Sequence, residues 1–255
     1  MSDSANQKTY GLFTSPANRK IISKLESINA KILLFPPIKT EKVRLDDENI
    51  EQLKNFKNFD WLIFPDVLAV DYFLENLQEN ALDIYELDFL RVCAVGESVV
   101  DRLRFSSIHS DVIPKTIETN DIVAALIDYI GEAELGSQRF LFPKEESEND
   151  ELTEKLKAKA AIVSEFPVYT VVDFHNLETT KLKILLKGGA IDEFIFTSPT
   201  DFIALKYYFK NEKISDIFSE IKVSASDNLM LQCARENNLL RAGLFHLAEI
   251  DKVKR

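Results

Sequence analysis

Ile191–Phe209 reads I-D-E-F-I-F-T-S-P-T-D-F-I-A-L-K-Y-Y-F. Its punctuation decides the fold. The apolar run Glu193–Phe196 predicts a buried strand, Thr197-Ser198-Pro199 a sharp stop, and the residues that follow an amphipathic helix. Ser198 suits the N-cap, because its hydroxyl can accept a backbone N–H of the first turn. Pro199 suits the first helical position, where a missing N–H costs nothing. Asp201 puts negative charge near the positive helix end. A strand that feeds a helix this tightly leaves N–H groups directed beyond the strand end, an arrangement that attracts an anion.

The same grammar recurs along the chain. Lys8–Phe13 predicts a strand stopped by Thr14-Ser15-Pro16, followed by a helix carrying Ile21, Ile22, Leu25 and Ile28 on one face. Lys31–Phe35 is a second strand, closed by Pro36-Pro37, which cannot continue a parallel strand, so the chain is expected to leave its first sheet there. Ile38–Arg44 is an extended connector. The readings that follow are a helix at Glu48–Lys57, strand Asp60–Phe64, helix Val67–Leu77, strand Arg91–Val95, helix Val99–Arg104 and a short strand within Ile108–Ile113. Thr119-Asn120 is expected to cap helix Asp121–Ile130. Arg139–Phe142 is a strand, Asp150–Ala160 a helix and Ala161–Glu165 an apolar stretch. Pro167–Val172 is extended and matches Ile38–Arg44 in character, so the two are expected to pair. A helix near Asn176–Lys187 precedes the opening stretch. Apolar pieces at Ile214–Phe218, Ile221–Ser224 and Ala242–Leu247 and helix Asn228–Asn238 follow it.

Strands alternating with helices predict an α/β fold of parallel sheets covered on both faces. The prolyl exit makes it two parallel-sheet, three-layer domains joined by a two-stranded β connector, the first domain discontinuous. The expected boundaries are 1–36 plus 172–255 for the first domain and 39–169 for the second, with connectors near 37–44 and 166–172. An internal echo supports two similar domains: Asp60–Leu77 aligns with Asp192–Phe209 without gaps.

Composition narrows the function. The chain has 255 residues, 45% hydrophobic and 29% charged, as a globular protein does. A net charge of −11 argues against nucleic acid and anionic membrane surfaces, but not against an anionic small molecule held by local backbone dipoles. Cys93 and Cys233 read as reduced core residues. Met1–Lys8 is polar with no apolar signal core, and no apolar run reaches the ~20 residues of a membrane span. A cytoplasmic protein is expected; nothing demands a dimer, so a monomer is expected too. Seven glycines form no Gly-x-Gly-x-x-Gly or Walker loop. His109, His175 and His246 are scattered, with no metal-ligand spacing. The acidic run Glu145, Glu146, Glu148, Asp150 and Glu151 could bind a cation, but reads better as a solvated loop complementing a helix N-terminus.

In open parallel sheets ligands bind beyond the C-terminal strand ends. Those ends are Thr14-Ser15-Pro16, Pro65-Asp66-Val67, Gly96-Glu97-Ser98, Pro143-Lys144-Glu145, Thr197-Ser198-Pro199 and Ser224-Ala225-Ser226. Were the two domains to face each other, these turns would line one cleft rich in hydroxyls and N–H groups. Any one of them is adequately explained as capping chemistry; their recurrence is what points to function. Tyr169 stands on the connector. By itself it reads as a cross-strand aromatic of a β-ladder, although a phenol at a domain junction can also serve as a general acid.

Taken in order, T-S-P-A-N at Thr14–Asn18, F-P-P-I at Phe35–Ile38, F-D-W-L-I-F…A-V at Phe59–Val70 and A-V-G-E-S at Ala94–Ser98 resemble the uroporphyrinogen-III synthase family. So do F-L-F-P at Phe140–Pro143, P-V-Y at Pro167–Tyr169 and F-T-S-P at Phe196–Pro199. The resemblance implies two α/β domains joined by a β-ladder, no cofactor and no metal. It implies a linear tetrapyrrole, hydroxymethylbilane, as substrate, held through strand-end N–H groups and closed with ring D inverted and water lost. It implies Tyr169 as the residue that assists loss of the hydroxyl. Substrate-binding residues are expected at Thr14, Ser15, Pro65, Asp66, Gly96, Glu97, Ser98, Lys144, Thr197, Ser198 and Ser226. The chain departs from the family pattern at Phe64-Pro65-Asp66, where F-T-S is usual. The alternative is a catalytically silent bilobed relative that binds a tetrapyrrole, another anion or a protein partner.

Overall fold

The computed structural model describes residues 7–147, 151–172, 176–210 and 212–246. His175, Glu148, Asp150 and Leu247, named above, lie outside them. In chain order the first elements are β1 (Thr9–Phe13), α1 (Arg19–Ser27), β2 (Lys31–Phe35), β3 (Lys39–Lys42), α2 (Asp47–Lys54), β4 (Trp61–Phe64) and α3 (Val67–Glu79). Next come β5 (Arg91–Ala94), α4 (Glu97–Phe105), α5 (Thr119–Ile130), α6 (Glu132–Leu135), β6 (Arg139–Glu145), α7 (Glu151–Ala158) and β7 (Ile162–Val172). The last are α8 (Asn176–Lys187), β8 (Glu193–Phe196), α9 (Pro199–Tyr208), α10 (Ile214–Ile217), β9 (Lys222–Ala225), α11 (Asn228–Glu236) and β10 (Gly243–Leu244).

Two compact units result. Lys39–Val172 form one; the described residues of the segments Met1–Ile38 and Asp173–Arg255 form the other. The discontinuous unit is built on a parallel sheet of order β10-β9-β8-β1-β2 among the described residues. Side-chain alternation along its strands separates two apolar layers. Phe13, Phe35, Phe194 and Phe196 pack on one side with Leu182, Leu205 and Phe218, and Leu12 and Ile195 on the other with Ile21 and Leu25. Gly11 lies opposite Phe194, and a Cβ there would stand 2.6 Å from the buried Phe194 ring, so close approach of the two strands requires glycine.

The continuous unit has the order β3-β7-β6-β4-β5, parallel except for β3. One face is covered by α5 and α7 through Ile122, Val123, Leu126, Leu152 and Leu156. On the other face Phe73 of α3 meets Phe64 and Phe166 edge-on. The antiparallel pairing of β3 with the far end of β7, Lys39 opposite Val172 and Lys42 opposite Tyr169, is the ladder expected from their matching character.

The echo between Asp60–Leu77 and Asp192–Phe209 extends to the chemistry. Strand and helix start at corresponding residues in both, and Asp66 and Ser198 are both N-caps. Asp60 accepts Arg139 N at 2.8 Å and Asp192 accepts Thr9 N at 2.7 Å, so each clamps the start of a neighbouring strand.

Some local expectations are corrected. Ile108–Ile113 forms no strand, because only Val112 finds a ladder partner, Cys93. Thr119 and Asn120 lie inside α5, whose N-cap is Glu118 without a side-chain cap bond. Glu48–Lys57 breaks after Lys54 into a 3-10 turn at Phe56–Asn58. The turn at Thr14–Pro16 is not a copy of Thr197–Pro199, since a 3-10 turn at Pro16–Asn18 precedes α1 and Ser15 is not its N-cap. Ala161–Glu165 and Pro167–Val172 are not separate segments; Ile162–Val172 is one strand. Pro167 is tolerated there beside a register shift between Lys144 and Glu145, where ladder bonding is already interrupted.

Candidate active site

The candidate residues gather at the C-terminal strand edges, each set within its own unit. In the discontinuous unit β1, β8 and β9 are neighbours in the sheet, so the turns bearing Thr14 and Ser15, Thr197 and Ser198, and Ser226 lie side by side. Backbone bonds lock them: Thr14 N donates to Phe35 O at 2.8 Å and Ser226 N to Phe196 O at 2.9 Å.

The Thr197–Ser198 turn is not open to an outside anion in the way its sequence suggests. Ser198 caps α9 in a reciprocal capping box with Asp201. Asp201 Oδ2 accepts Thr197 N at 2.8 Å, Ser198 N at 3.1 Å and the Thr197 hydroxyl at 3.4 Å. Those donors therefore already hold a carboxylate, one supplied by the chain. Asp201 is 3% exposed, and a buried carboxylate persists only when hydrogen-bonded. Burial pushes its pKa up to about 6, against the opposing pull of the Thr197 and Ser198 bonds. The third turn is similar, as Asp227 caps α11 through Met230 N at 2.9 Å and accepts the Ser226 hydroxyl at 2.8 Å.

In the continuous unit β7, β6, β4 and β5 are also neighbours, bringing Tyr169, Lys144, the Pro65-Asp66 turn and the Gly96–Ser98 turn to one edge. Asp66 is the N-cap of α3; its Oδ1 accepts Ala69 N at 2.8 Å. Its Oδ2 accepts the Tyr169 hydroxyl at 2.9 Å. Tyr169 is 1% exposed, and its ring stacks on Tyr72, with centroids 5.5 Å apart and planes at 19°. Tyr72 in turn shares a hydrogen bond with Thr40 of β3 at 2.9 Å. Gly96 opens α4 at φ 96°, a conformation that favours glycine, and carries no side-chain cap. Glu97 and Ser98 form its half-buried first turn. Lys144 is buried and ion-paired with Glu165 at 3.4 Å.

Glu145 corrects the reading of the acidic run as a solvated loop. It is 1% exposed and accepts Ser147 N at 2.8 Å and Val171 N at 3.4 Å, tying the end of β6 to β7. Sequence reasoning missed Tyr72 and Glu165 as neighbours of the site and the burial of Glu145. Of the site's chemistry only the Ser198-x-x-Asp201 capping box had a readable local signal. Cys93 is no nucleophile, since burial pushes its thiol up to about 12. Among the described residues, no three or more His, Cys, Asp or Glu are grouped to hold a metal, and no helix is long and apolar enough to cross a membrane.

A family model described as "Uroporphyrinogen-III synthase HemD" matches residues 19–240. The chain belongs to the uroporphyrinogen-III synthase family. A relative named uroporphyrinogen-III synthase from Chlorobaculum parvum is 24% identical over 217 residues, which span 84% of this chain and 83% of the relative. Two crystal structures titled as uroporphyrinogen III synthase from Thermus thermophilus, one of a mutant and one of the wild type, share the fold. Their TM-scores are 0.66 and 0.65, at 14% and 16% identity, with 97% of each chain covered. Uroporphyrinogen-III synthases are cyclising lyases of tetrapyrrole biosynthesis.

Proposed function

We propose that this chain cyclises hydroxymethylbilane to uroporphyrinogen III, inverting ring D and releasing water. The family match across residues 19–240 carries the reading. Loss of the substrate hydroxyl needs a proton: it passes to the hydroxyl oxygen, the C–O bond breaks with its electron pair, and water leaves. The pyrrole nitrogen lone pair fills the deficit, giving an azafulvene cation that the substituted carbon of ring D attacks. The spiro intermediate then fragments and recloses with that ring reversed. Tyr169 is the proposed proton donor. The protein's larger task is to hold the chain ends in the productive geometry and suppress direct closure.

Carboxylates of the substrate are proposed to meet the Gly96–Ser98 turn, where α4 starts at Gly96 without a side-chain cap. The reading carries with it a cytoplasmic monomer that takes no nucleic acid, in keeping with the net charge of −11. A second reading, binding without cyclisation, is favoured by Asp66 and Asp201 occupying donors at two strand ends. The two are separated by supplying hydroxymethylbilane and resolving the porphyrin isomers after oxidation. The type III isomer is expected; only the symmetric isomer, at the uncatalysed rate, would leave the second reading standing.

A further inference from the structure

We propose that Asp66 is a positioning residue that controls where Tyr169 directs its phenolic proton. The inference rests on the cyclase reading and deepens it. Two bonds of Asp66 matter here, one on each carboxylate oxygen. Oδ1 accepts Ala69 N at 2.8 Å and so fixes the carboxylate on the first turn of α3. Oδ2 accepts the Tyr169 hydroxyl at 2.9 Å. An ionised carboxylate only accepts, so the phenol must be the donor in this bond. The ring cannot swing away freely, because it is buried, stacked on Tyr72 and carried by a strand paired on both sides. In this arrangement the proton that would assist departure of the substrate hydroxyl is committed to Asp66.

The second consequence is electrostatic. Giving up the proton leaves a phenolate beside a carboxylate with oxygens 2.9 Å apart. Two like charges that close inside a protein repel by several kcal/mol at an effective dielectric of about 20. Asp66 therefore holds Tyr169 in a resting state, and proton transfer proceeds when that bond is broken.

Asn at position 66 reverses the polarity with almost no change of shape. Its carbonyl oxygen still caps Ala69 N, while its amide N–H donates to the phenol oxygen, so the Tyr169 hydrogen is released and a phenolate would be stabilised. The test compares Asp66→Asn, Tyr169→Phe and the double variant in the full chain by steady-state turnover of hydroxymethylbilane, with the Raman Fermi doublet of tyrosine as a second readout. That doublet separates a phenol that donates from one that accepts. We expect Asp66→Asn to raise kcat by about tenfold, a fraction of the roughly 10²–10⁴-fold that general acid catalysis contributes, and the gain to vanish in the double variant. A KM change that survives Tyr169→Phe reports only the removal of a charge facing an anionic substrate.

An unchanged kcat in folded Asp66→Asn, or a gain that persists without Tyr169, overturns the proposal. In the Raman difference spectrum one tyrosine is expected to move from donor to acceptor; an unchanged doublet overturns it as well. Asp66→Ser, which keeps a capping oxygen and removes the charge, serves if the Asn variant does not fold, with the same expected direction in kcat. If wild type and variants all yield only the symmetric isomer, the cyclase reading fails, and the Raman result alone decides whether Asp66 holds the phenol.

Discussion

At the residue scale the account turns on carboxylates placed where an anionic ligand was expected. Asp201 fills the donors of the Thr197–Ser198 turn, and Asp66 accepts the hydrogen bond of the Tyr169 hydroxyl. Tyr169→Phe keeps the ring that stacks on Tyr72 but deprives Asp66 Oδ2 of this donor. It is expected to cost roughly 1–3 kcal/mol of stability and to lower the cyclisation rate by about tenfold or more. Denaturant unfolding and initial rates read the two effects separately; a variant turning over at the wild-type rate would remove Tyr169 from the mechanism. The position of Tyr169 at a junction of strands was legible in the sequence. Its partner was not, because Asp66 lies 103 residues away and nothing local announces a contact at that separation. The burial of Lys144 and Glu145 was hidden for a related reason. A charged pair at the end of a strand reads as solvated until the packing of β6 against β7 shows that both are buried.

At the scale of elements, strand–turn–helix units were read well wherever punctuation and periodicity agreed. The units at Trp61–Glu79 and Glu193–Tyr208 are examples. Reading failed where a ladder partner decides the outcome, as at Ile108–Ile113, and where a register shift admits a proline into a continuous strand at Pro167. Gly11 in β1 makes the packing testable. Gly11→Ala would press a methyl into the buried Phe194 ring and is expected to destabilise the discontinuous unit by about 1–3 kcal/mol; unchanged stability on chemical denaturation would show that the ring has room to move.

The α9 capping box gives a pH prediction. Asp201 has its pKa raised from 3.8 to about 6, so the folded state binds its proton more tightly than the unfolded chain does. That contribution is fully present below pH 3.8 and is lost as pH rises through about 6. In Asp201→Asn the side-chain oxygen can keep the Thr197 and Ser198 donors without the charge. The variant should therefore gain stability relative to wild type as pH rises between those limits, by at most about 3 kcal/mol. Parallel stability profiles for the two proteins across that range would contradict the burial account.

At the scale of the whole molecule, the prolyl exit at Pro36-Pro37 and the alternation of strands and helices made the α/β fold with parallel sheets readable. Each unit builds its core on its own sheet, with apolar side chains on both faces. The family follows from the match across residues 19–240, and the proposed activity rests on what few strand-end residues do with a proton and with the substrate's carboxylates. The most direct test is the fraction of type III isomer formed from hydroxymethylbilane as the concentration of this protein is raised. The account predicts that this fraction climbs from the uncatalysed baseline towards completion, at a rate proportional to protein. A fraction that stays at the baseline at every concentration would contradict it.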